Sequence, residues 1–405
     1  HWERRLMVLS TLSSASTAPK SSVARQSAVT PAWRHVDVLI IAAAGALSVI
    51  GVVMVYATTK NPLAVAGLGP QSIMRKEAVF AVAGFAAMCV TMLFDYKRYL
   101  SWAALLYVGS ILLLLAAFAI GHETLGAQSW IQVGSYQIEP SELVKVTLVI
   151  SLAALLASRK GHVNGRVLFV VLGLSVVPVL LIYKQDALGS ALVLAVVMIG
   201  MLLMGGARGR HMVALTLVAV VGIGAVLQLG VLKQYQKDRL TTFLTAPAGV
   251  GPVNSKSDPY AAGLEYNLDQ AKATIADGGL TGKGLFKGPQ TNLSYVPNQS
   301  TDFIFTAVAE QFGFVGSAFL LALFGLVVWR TWRTAMLARD LAGTLICVGV
   351  LCMFTFQVFE NIGMTMGIMP VAGITLPFLS YGGSSMLVDW VAIGLVVNVG
   401  MHRFA

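Results

Sequence analysis

Charge is what this chain has least of. Only 11% of its 405 residues are Asp, Glu, Lys or Arg, against about a quarter in soluble domains. Acids are the scarcer sign, with 18 carboxylates against 28 Lys and Arg. A globular domain this poor in charge would present a largely apolar surface to water. With 57% hydrophobic residues and a mean hydropathy of +0.77, the chain reads as a polytopic membrane protein. The net charge of +10 then needs no nucleic acid. Cytoplasmic loops of membrane proteins are enriched in Lys and Arg.

Cysteine and histidine are sparse as well. Cys89, Cys347 and Cys352 all lie in apolar runs. They read as small buried hydrophobes, not as a disulfide framework. His122, His162 and His211 stand singly, and no spacing suggests a metal site. Internal repeats are also lacking.

What the chain has is apolar runs. A spanning helix needs about 20 mostly apolar residues. Ten stretches qualify: 37–58, 77–94, 102–120, 141–158, 167–183, 187–205, 211–232, 303–329, 341–364 and 380–401. The expected fold class is therefore an all-α polytopic membrane protein of about ten transmembrane helices. A large extracytoplasmic loop, 233–301, separates spans seven and eight. Residues 1–36, rich in Ser, Ala and Thr, are expected to be a disordered cytoplasmic tail with no cleavable signal. Residues 37–405 are expected to form one transmembrane domain.

An even number of spans puts both termini on one side. The short loops of that side carry Lys97, Arg98, Arg159, Lys160, Arg166, Arg208, Arg210, Arg330, Arg333 and Arg339. The short loops opposite carry only Lys60, Arg75, Lys76 and Lys184. This bias places both ends in the cytoplasm. The outer face then holds ten of the eighteen acids. In the long outer loop, residues 264–276 place Leu264, Leu268, Ala271 and Ile275 along one helical face. That pattern predicts a short amphipathic helix lying on the membrane.

Five polar clusters interrupt the apolar pattern. The first is STDFIFTAVAEQFGFVG, 300–316, where Asp302 stands between Thr301 and the trio Phe303, Ile304, Phe305. A carboxylate at such an edge is partly desolvated and is a stronger base for it. The plain alternative is that Ser300, Thr301 or Asp302 caps the following helix. The second cluster is EPSELVK, 139–145. Pro140 suits a first helical turn, Ser141 could cap, and Glu142 and Lys145 share a face three residues apart. They read either as an ion pair at the membrane edge or as a phosphate-holding lysine with its partner. The third is QDALGS, 185–190, where Asp186 could cap and Gly189 allows close packing. The fourth joins QYQKDR, 234–239, to Lys272 and to GGLTGKG, 278–284. Its basic residues could snorkel to headgroups or grip a pyrophosphate. GKG here lacks the frame of a nucleotide-binding loop. The fifth is GIMPVAGITLPFLSYGGSSM, 367–386, with GITLPFLSYGGSS within it, where two prolines and the Gly382-Gly383 pair break helix geometry before the last span. It reads as a plain outer loop or as irregular backbone lining a cavity. Glu310, Glu360 and Asp389 lie within spans, with packing and substrate roles both open.

Together the five motifs resemble the SEDS family, the RodA, FtsW and SpoVE proteins, over residues 37–401. Three positions depart from the family pattern. Glu139 stands in place of Gln before Pro140-Ser141-Glu142. Ala187 replaces a proline in the third motif. Ser300 stands where the family often has His before Thr-Asp. The order QAKATIADGGLTGKGLFKG then VPNQSTDF is most similar to RodA.

The resemblance implies a membrane glycosyltransferase that polymerises lipid II into peptidoglycan glycan strands. Asp302 would be the general base, the anomeric carbon would invert, and undecaprenyl pyrophosphate would leave. Without a neighbouring histidine, the proton acceptor is the carboxylate itself. Lys145, Arg239 and Lys272 are the expected cations for the pyrophosphate, and Glu142, Asp186, Ser380, Gly382 and Ser384 are further substrate-binding candidates. A divalent cation, Mg or Mn, could share the pyrophosphate's charge, although the sequence has no dedicated site. The implied partners are a class B penicillin-binding protein, lipid II and membrane lipids, with no nucleic acid. The competing classes are a lipid II flippase or other transporter, and a scaffold. The transporter reading is weakened by the lack of repeated halves and by acids gathered on one face.

Overall fold

A computed structural model describes residues 35–60, 70–120, 122–124, 127–134, 136–159, 162–185, 187–228 and 259–404. Most of the expected N-terminal tail, the first part of the long outer loop, Asp186 and Arg239 lie outside the described residues.

Backbone N–H and C=O groups in a bilayer must be satisfied within the chain, so apolar runs become helices. All ten stretches contain one. They are α1 (Val38–Thr59), α2 (Pro70–Leu93), α4 (Ala103–Ile120), α5 (Pro140–Ser158), α6 (Gly165–Lys184), α7 (Leu188–Met204), α8 (Gly209–Gln228), α11 (Ile304–Met336), α12 (Leu341–Met366) and α13 (Gly383–Met401). Among the described residues, seven helices are both long and apolar enough to cross a membrane, and α4 and α7 are shorter apolar helices. Short helices α3 (Tyr96–Ser101) and α10 (Pro289–Asn292), and the longer α9 (Pro259–Gly278), fill the connections.

Local chemistry sets several of the ends. Asn164 accepts from the Val167 N–H at 3.0 Å to start α6. Asp340 accepts from the Gly343 N–H at 2.8 Å to start α12. Pro140 occupies the first turn of α5, where a missing N–H costs nothing.

The most enclosed span is α13, followed by α5 and α12. These three make the centre, and α13 lies closest along α2. Small residues permit that approach. A Cβ on Gly84 would stand 2.6 Å from the Trp390 ring, and one on Gly394 would stand 3.0 Å from Thr91. At the opposite end from Asp302, the buried Asn398 accepts from the Tyr96 N–H at 2.9 Å and donates to the Thr91 and Phe94 carbonyls. The Arg330 guanidinium pairs with Asp37 at 2.6 Å and ties α11 to the start of α1.

Four features differ from the sequence expectations. A three-stranded antiparallel sheet, β1 (His122–Thr124), β2 (Ala127–Val133) and β3 (Tyr136–Ile138), precedes α5. The amphipathic helix forms as α9, but it packs along α11 and α12. Leu268 and Ala271 are buried there, so protein, not lipid, receives its apolar face. Cys347 is buried, but Cys89 is exposed on α2. Finally, α11 is not continuous. Gly313 has φ 64° and ψ −162°, which interrupts the helix one-third of the way along.

Candidate active site

The five motifs meet at the end of the bundle that carries Asp302. Their hub is the irregular segment 367–382 between α12 and α13. It is not a plain outer loop: Ile374, Leu376, Phe378 and Leu379 are all buried. Non-helical backbone at this depth is tolerated where protein encloses it. Gly51 of α1 backs directly onto it, since a Cβ there would stand 2.2 Å from the Phe378 carbonyl oxygen. The Phe378 N–H donates to Asp389 Oδ2 at 3.1 Å. Asp389, left open by the sequence, thus anchors the hub.

Asp302 borders this hub and is half-buried. The N-cap position of α11 falls on Phe303, which makes no side-chain cap. The N-cap position thus lies one residue beyond the three that the capping alternative offered. Instead the turn that carries residues 300–302 is stitched to the hub. The Tyr381 N–H donates to the Ser300 carbonyl at 2.8 Å. Ser380 Oγ donates to the Thr301 carbonyl and accepts from the Leu376 N–H. Asn361 of α12 donates to the Asp302 carbonyl at 2.9 Å. The carboxylate itself faces Gly373, where a Cβ would stand 3.5 Å from Oδ2.

The second motif group joins from α5. Ser384 Oγ accepts from the Glu139 N–H at 3.2 Å. Glu139 also accepts from Ser141 Oγ and from Trp130 Nε1 of β2. Ser141 thus serves Glu139 and does not cap the helix. Burial, and then the charge of Glu142, push the Glu139 carboxyl above its usual range. Glu142 and Lys145 form an ion pair at 2.6 Å with both side chains almost wholly enclosed. Glu142 Oε2 has no hydrogen-bond partner among the described residues. Asp389 and Glu77 lie within electrostatic reach of this pair or of each other. Glu77 is fully buried on α2 and turns toward the Gly382 backbone. Tyr381, beside it, has its phenol raised by burial and by the Glu77 charge.

The third motif touches the hub through Gly189, where a Cβ would stand 2.2 Å from Ile374. This is the close-packing role the sequence suggested. In the fourth motif Lys272 lies over the left-handed Gly367 that ends α12, where a Cβ would stand 3.0 Å from Nζ. A cation is favourable at a helix C-terminus. GGLTGKG has a structural task. The break at Gly313 opens the hydrogen-bond ladder of α11, and this segment closes it. Lys283 and Gly284 N–H groups donate to the Glu310 and Gln311 carbonyls, and the Phe314 and Val315 N–H groups donate to Gly279 and Leu280.

The structure therefore gathers Asp302, Ser380, Gly382, Ser384, Glu142 and Lys145 around one hub. The sequence did not single out Asn361 or Glu77. Among the described residues no three His, Cys, Asp or Glu side chains are grouped to hold a metal ion.

Comparison with known proteins adds a family. The model of the FtsW/RodA/SpoVE cell cycle proteins matches residues 37–404. The chain is 34% identical over 371 residues to Stage V sporulation protein E of Bacillus subtilis, covering 90% of this chain and 97% of that protein. It is 33% identical over 320 residues to the peptidoglycan glycosyltransferase MrdB of Escherichia coli K12, covering 79% and 83%. Its structure is similar to a chain of a peptidoglycan synthase complex, with TM-score 0.74, 29% identity and coverage of 91% and 98%. It is also similar to RodA of Thermus thermophilus, with TM-score 0.65, 27% identity and coverage of 93% and 100%.

Proposed function

This chain belongs to the FtsW/RodA/SpoVE family, and on that premise we propose how its site works. The protein is a multi-pass membrane peptidoglycan glycosyltransferase. Its substrate in this reading is lipid II, with a lipid-linked donor sugar and the N-acetylglucosamine of the acceptor. Asp302 takes the proton from the 4-hydroxyl of the acceptor sugar. The freed oxygen pair attacks the donor's anomeric carbon from the face opposite the pyrophosphate. The new glycosidic bond forms as the anomeric C–O bond breaks, so the carbon inverts and undecaprenyl pyrophosphate leaves with the electron pair. One base and a good leaving group suffice, without a second carboxylate.

The observation that carries this reading is the treatment of Asp302. Its backbone is held by Asn361 and its neighbours by Ser380 and Tyr381, while the residue is only partly buried, with its carboxylate beside a glycine. A base needs a fixed position and access to substrate.

The departing pyrophosphate needs positive charge. Lys272, with Arg239, is the proposed contact. Lys145 is enclosed with Glu142, so its proposed contribution is through the field beneath the site. Ser380, Gly382 and Ser384 shape the acceptor side, with Asp186 at the entrance of α7. A Mg or Mn ion would enter as a companion of the pyrophosphate. The Lys and Arg bias supports cytoplasmic termini and an outward-facing site. A class B penicillin-binding protein is the proposed partner. The exposed apolar faces of α11 and α12, including Phe319 and Phe359, are where its single transmembrane helix would pack.

The test is glycan formation by purified protein on lipid II in detergent, with the transpeptidase present. The parent should make long glycan and Asp302→Asn should make none above background. Parental activity in Asp302→Asn would remove the base assignment. No glycan from the parent complex would remove the lipid II reading.

A further inference from the structure

Glu310 is a carboxylate that the proposed chemistry does not use. It lies two turns into α11 and is fully buried. Among the described residues no Lys or Arg forms an ion pair with it. Burying such a group is costly unless hydrogen bonds satisfy it. Here they do. Oε1 accepts from the Gln290 N–H at 2.7 Å, and Oε2 accepts from the Thr291 N–H at 3.0 Å and the Thr291 hydroxyl at 2.5 Å. Gly288 leaves room, since a Cβ there would stand 2.4 Å from Oε2.

The hydrogen bonds continue in one direction. The Thr291 hydroxyl gives its proton to Glu310, so its oxygen is left to accept. It accepts from Gln299 Nε2 at 3.2 Å. The second hydrogen of the same amide goes to Thr306 Oγ1 at 3.0 Å. The Thr306 hydroxyl then donates to the Phe303 carbonyl at 2.7 Å. Every donor and acceptor in this path has one consistent assignment. The path ends on the carbonyl of Phe303, the residue next to Asp302. The peptide that precedes Asp302 is held by the Asp302 N–H donating to the Asn298 carbonyl at 3.1 Å, in the turn that also carries Gln299. Thr291, Gln299 and Thr306 are all buried, so none of them meets substrate.

We propose that Glu310, acting through Thr291, Gln299 and Thr306, is a positioning residue that fixes the direction of the Asp302 carboxylate. The break at Gly313 gives the device a purpose. It makes residues 304–312 a half-helix whose orientation α11 as a whole does not set. The 278–299 segment sets it, by the GGLTGKG splint on one side and by the Glu310 carboxylate on the other. A carboxylate suits this position because it accepts several bonds at once and has no donor to misplace.

This inference rests on Asp302 being the base, and the test separates the two claims. Thr291→Val removes the hydroxyl at nearly constant volume. In the holoenzyme, with its transpeptidase, kcat for glycan formation on lipid II should fall about 10- to 100-fold, as for a base displaced by about 1 Å. KM for lipid II should stay within about two-fold. The melting temperature in detergent should remain close to the parent's. Thr291→Ser should restore most of the rate. Glu310→Gln should lose a similar factor, and the Glu310→Gln/Thr291→Val double variant should be little worse than either alone, because both cut one path. Where Glu310→Gln does not fold, the Thr291 pair decides. Parental kcat in Thr291→Val overturns the proposal, and so does a loss that appears in KM or that Thr291→Ser fails to restore. Asp302→Asn serves as the control: if it is inactive while Thr291→Val is parental, the base stands and the positioning path falls. If Asp302→Asn is active, both fall.

Discussion

Asn361 donates to the backbone carbonyl of Asp302 at 2.9 Å, across 59 residues of sequence. The same nitrogen donates to the Ile374 carbonyl at 2.7 Å. One fully buried amide thus joins α12, the Asp302 turn and the hub segment. Asn361→Asp would replace the donor with an acceptor facing two carbonyls. Stability should fall by about 1–3 kcal/mol, the cost of unsatisfied buried polar groups. Glycan synthesis should fall by about ten-fold or more as Asp302 shifts. Thermal melting in detergent and a lipid II assay measure the two. Asn361→Leu lacks the donor but adds no charge, and should melt above Asn361→Asp.

Glu139 gives the site region a pH dependence of defined sign. Burial and the neighbouring Glu142 raise its carboxyl above the ordinary value. The folded state therefore holds this proton more tightly than the unfolded chain does. Its contribution is fully present below the ordinary carboxyl pKa and is lost as pH rises through the raised value. Glu139→Gln keeps the neutral shape at every pH. The variant should gain melting temperature relative to the parent as pH rises above the ordinary carboxyl pKa of about 4. A difference that is flat with pH would show that Glu139 titrates normally.

The bundle was legible in the sequence because bilayer thickness demands apolar runs of fixed length, and α9 because Leu268, Ala271 and Ile275 repeat at helical spacing. Glu142 and Lys145 were legible as a pair because they are three residues apart on one helix. Less visible were features made by distant contacts. Asn361 looks like one polar residue in a span until Asp302 arrives against it. Glu77 looks like a charge near a helix start until Gly382 closes over it. The three strands before α5 are too short for a clear alternation. Gly313 reads as a small packing residue in an apolar run, because a break is marked only by dihedral angles. GGLTGKG reads as a glycine turn, because the carbonyls it serves lie about 30 residues further on.

Gly313 should tolerate no side chain. Its φ of 64° with ψ −162° lies where only glycine is comfortable, which costs other residues about 1–3 kcal/mol. A Cβ would also stand 2.3 Å from the Gly282 nitrogen, a backbone atom of the splint. Gly313→Ala should therefore lower the melting temperature and the yield of folded protein in detergent. Gly325, further along the same helix, has open space around its Cβ position. Gly325→Ala should be neutral or slightly stabilising, as alanine is the better helix former. Equal behaviour of the two would mean that the break has no structural cost.

Glu142 and Lys145 make the sharpest test of what a buried ion pair contributes. Both are enclosed and 2.6 Å apart, on the first turns of α5. Removing one partner leaves the other charge alone in a low-dielectric interior, which typically costs about 3–5 kcal/mol. Lys145→Met should therefore destabilise strongly, and Glu142→Gln likewise. Removing both leaves neither charge stranded, so Glu142→Gln/Lys145→Met should melt well above Lys145→Met, a non-additivity that a double-mutant cycle reads directly. Activity should separate from stability at this point. If the pair only holds α5 in place, the double variant regains glycan synthesis along with its melting temperature. If the Lys145 charge stabilises the departing pyrophosphate from beneath, the double variant regains stability while synthesis stays depressed, because no packing residue replaces a fixed positive charge. The proposed mechanism requires the second outcome, and recovery of both together would confine Lys145 to a structural role.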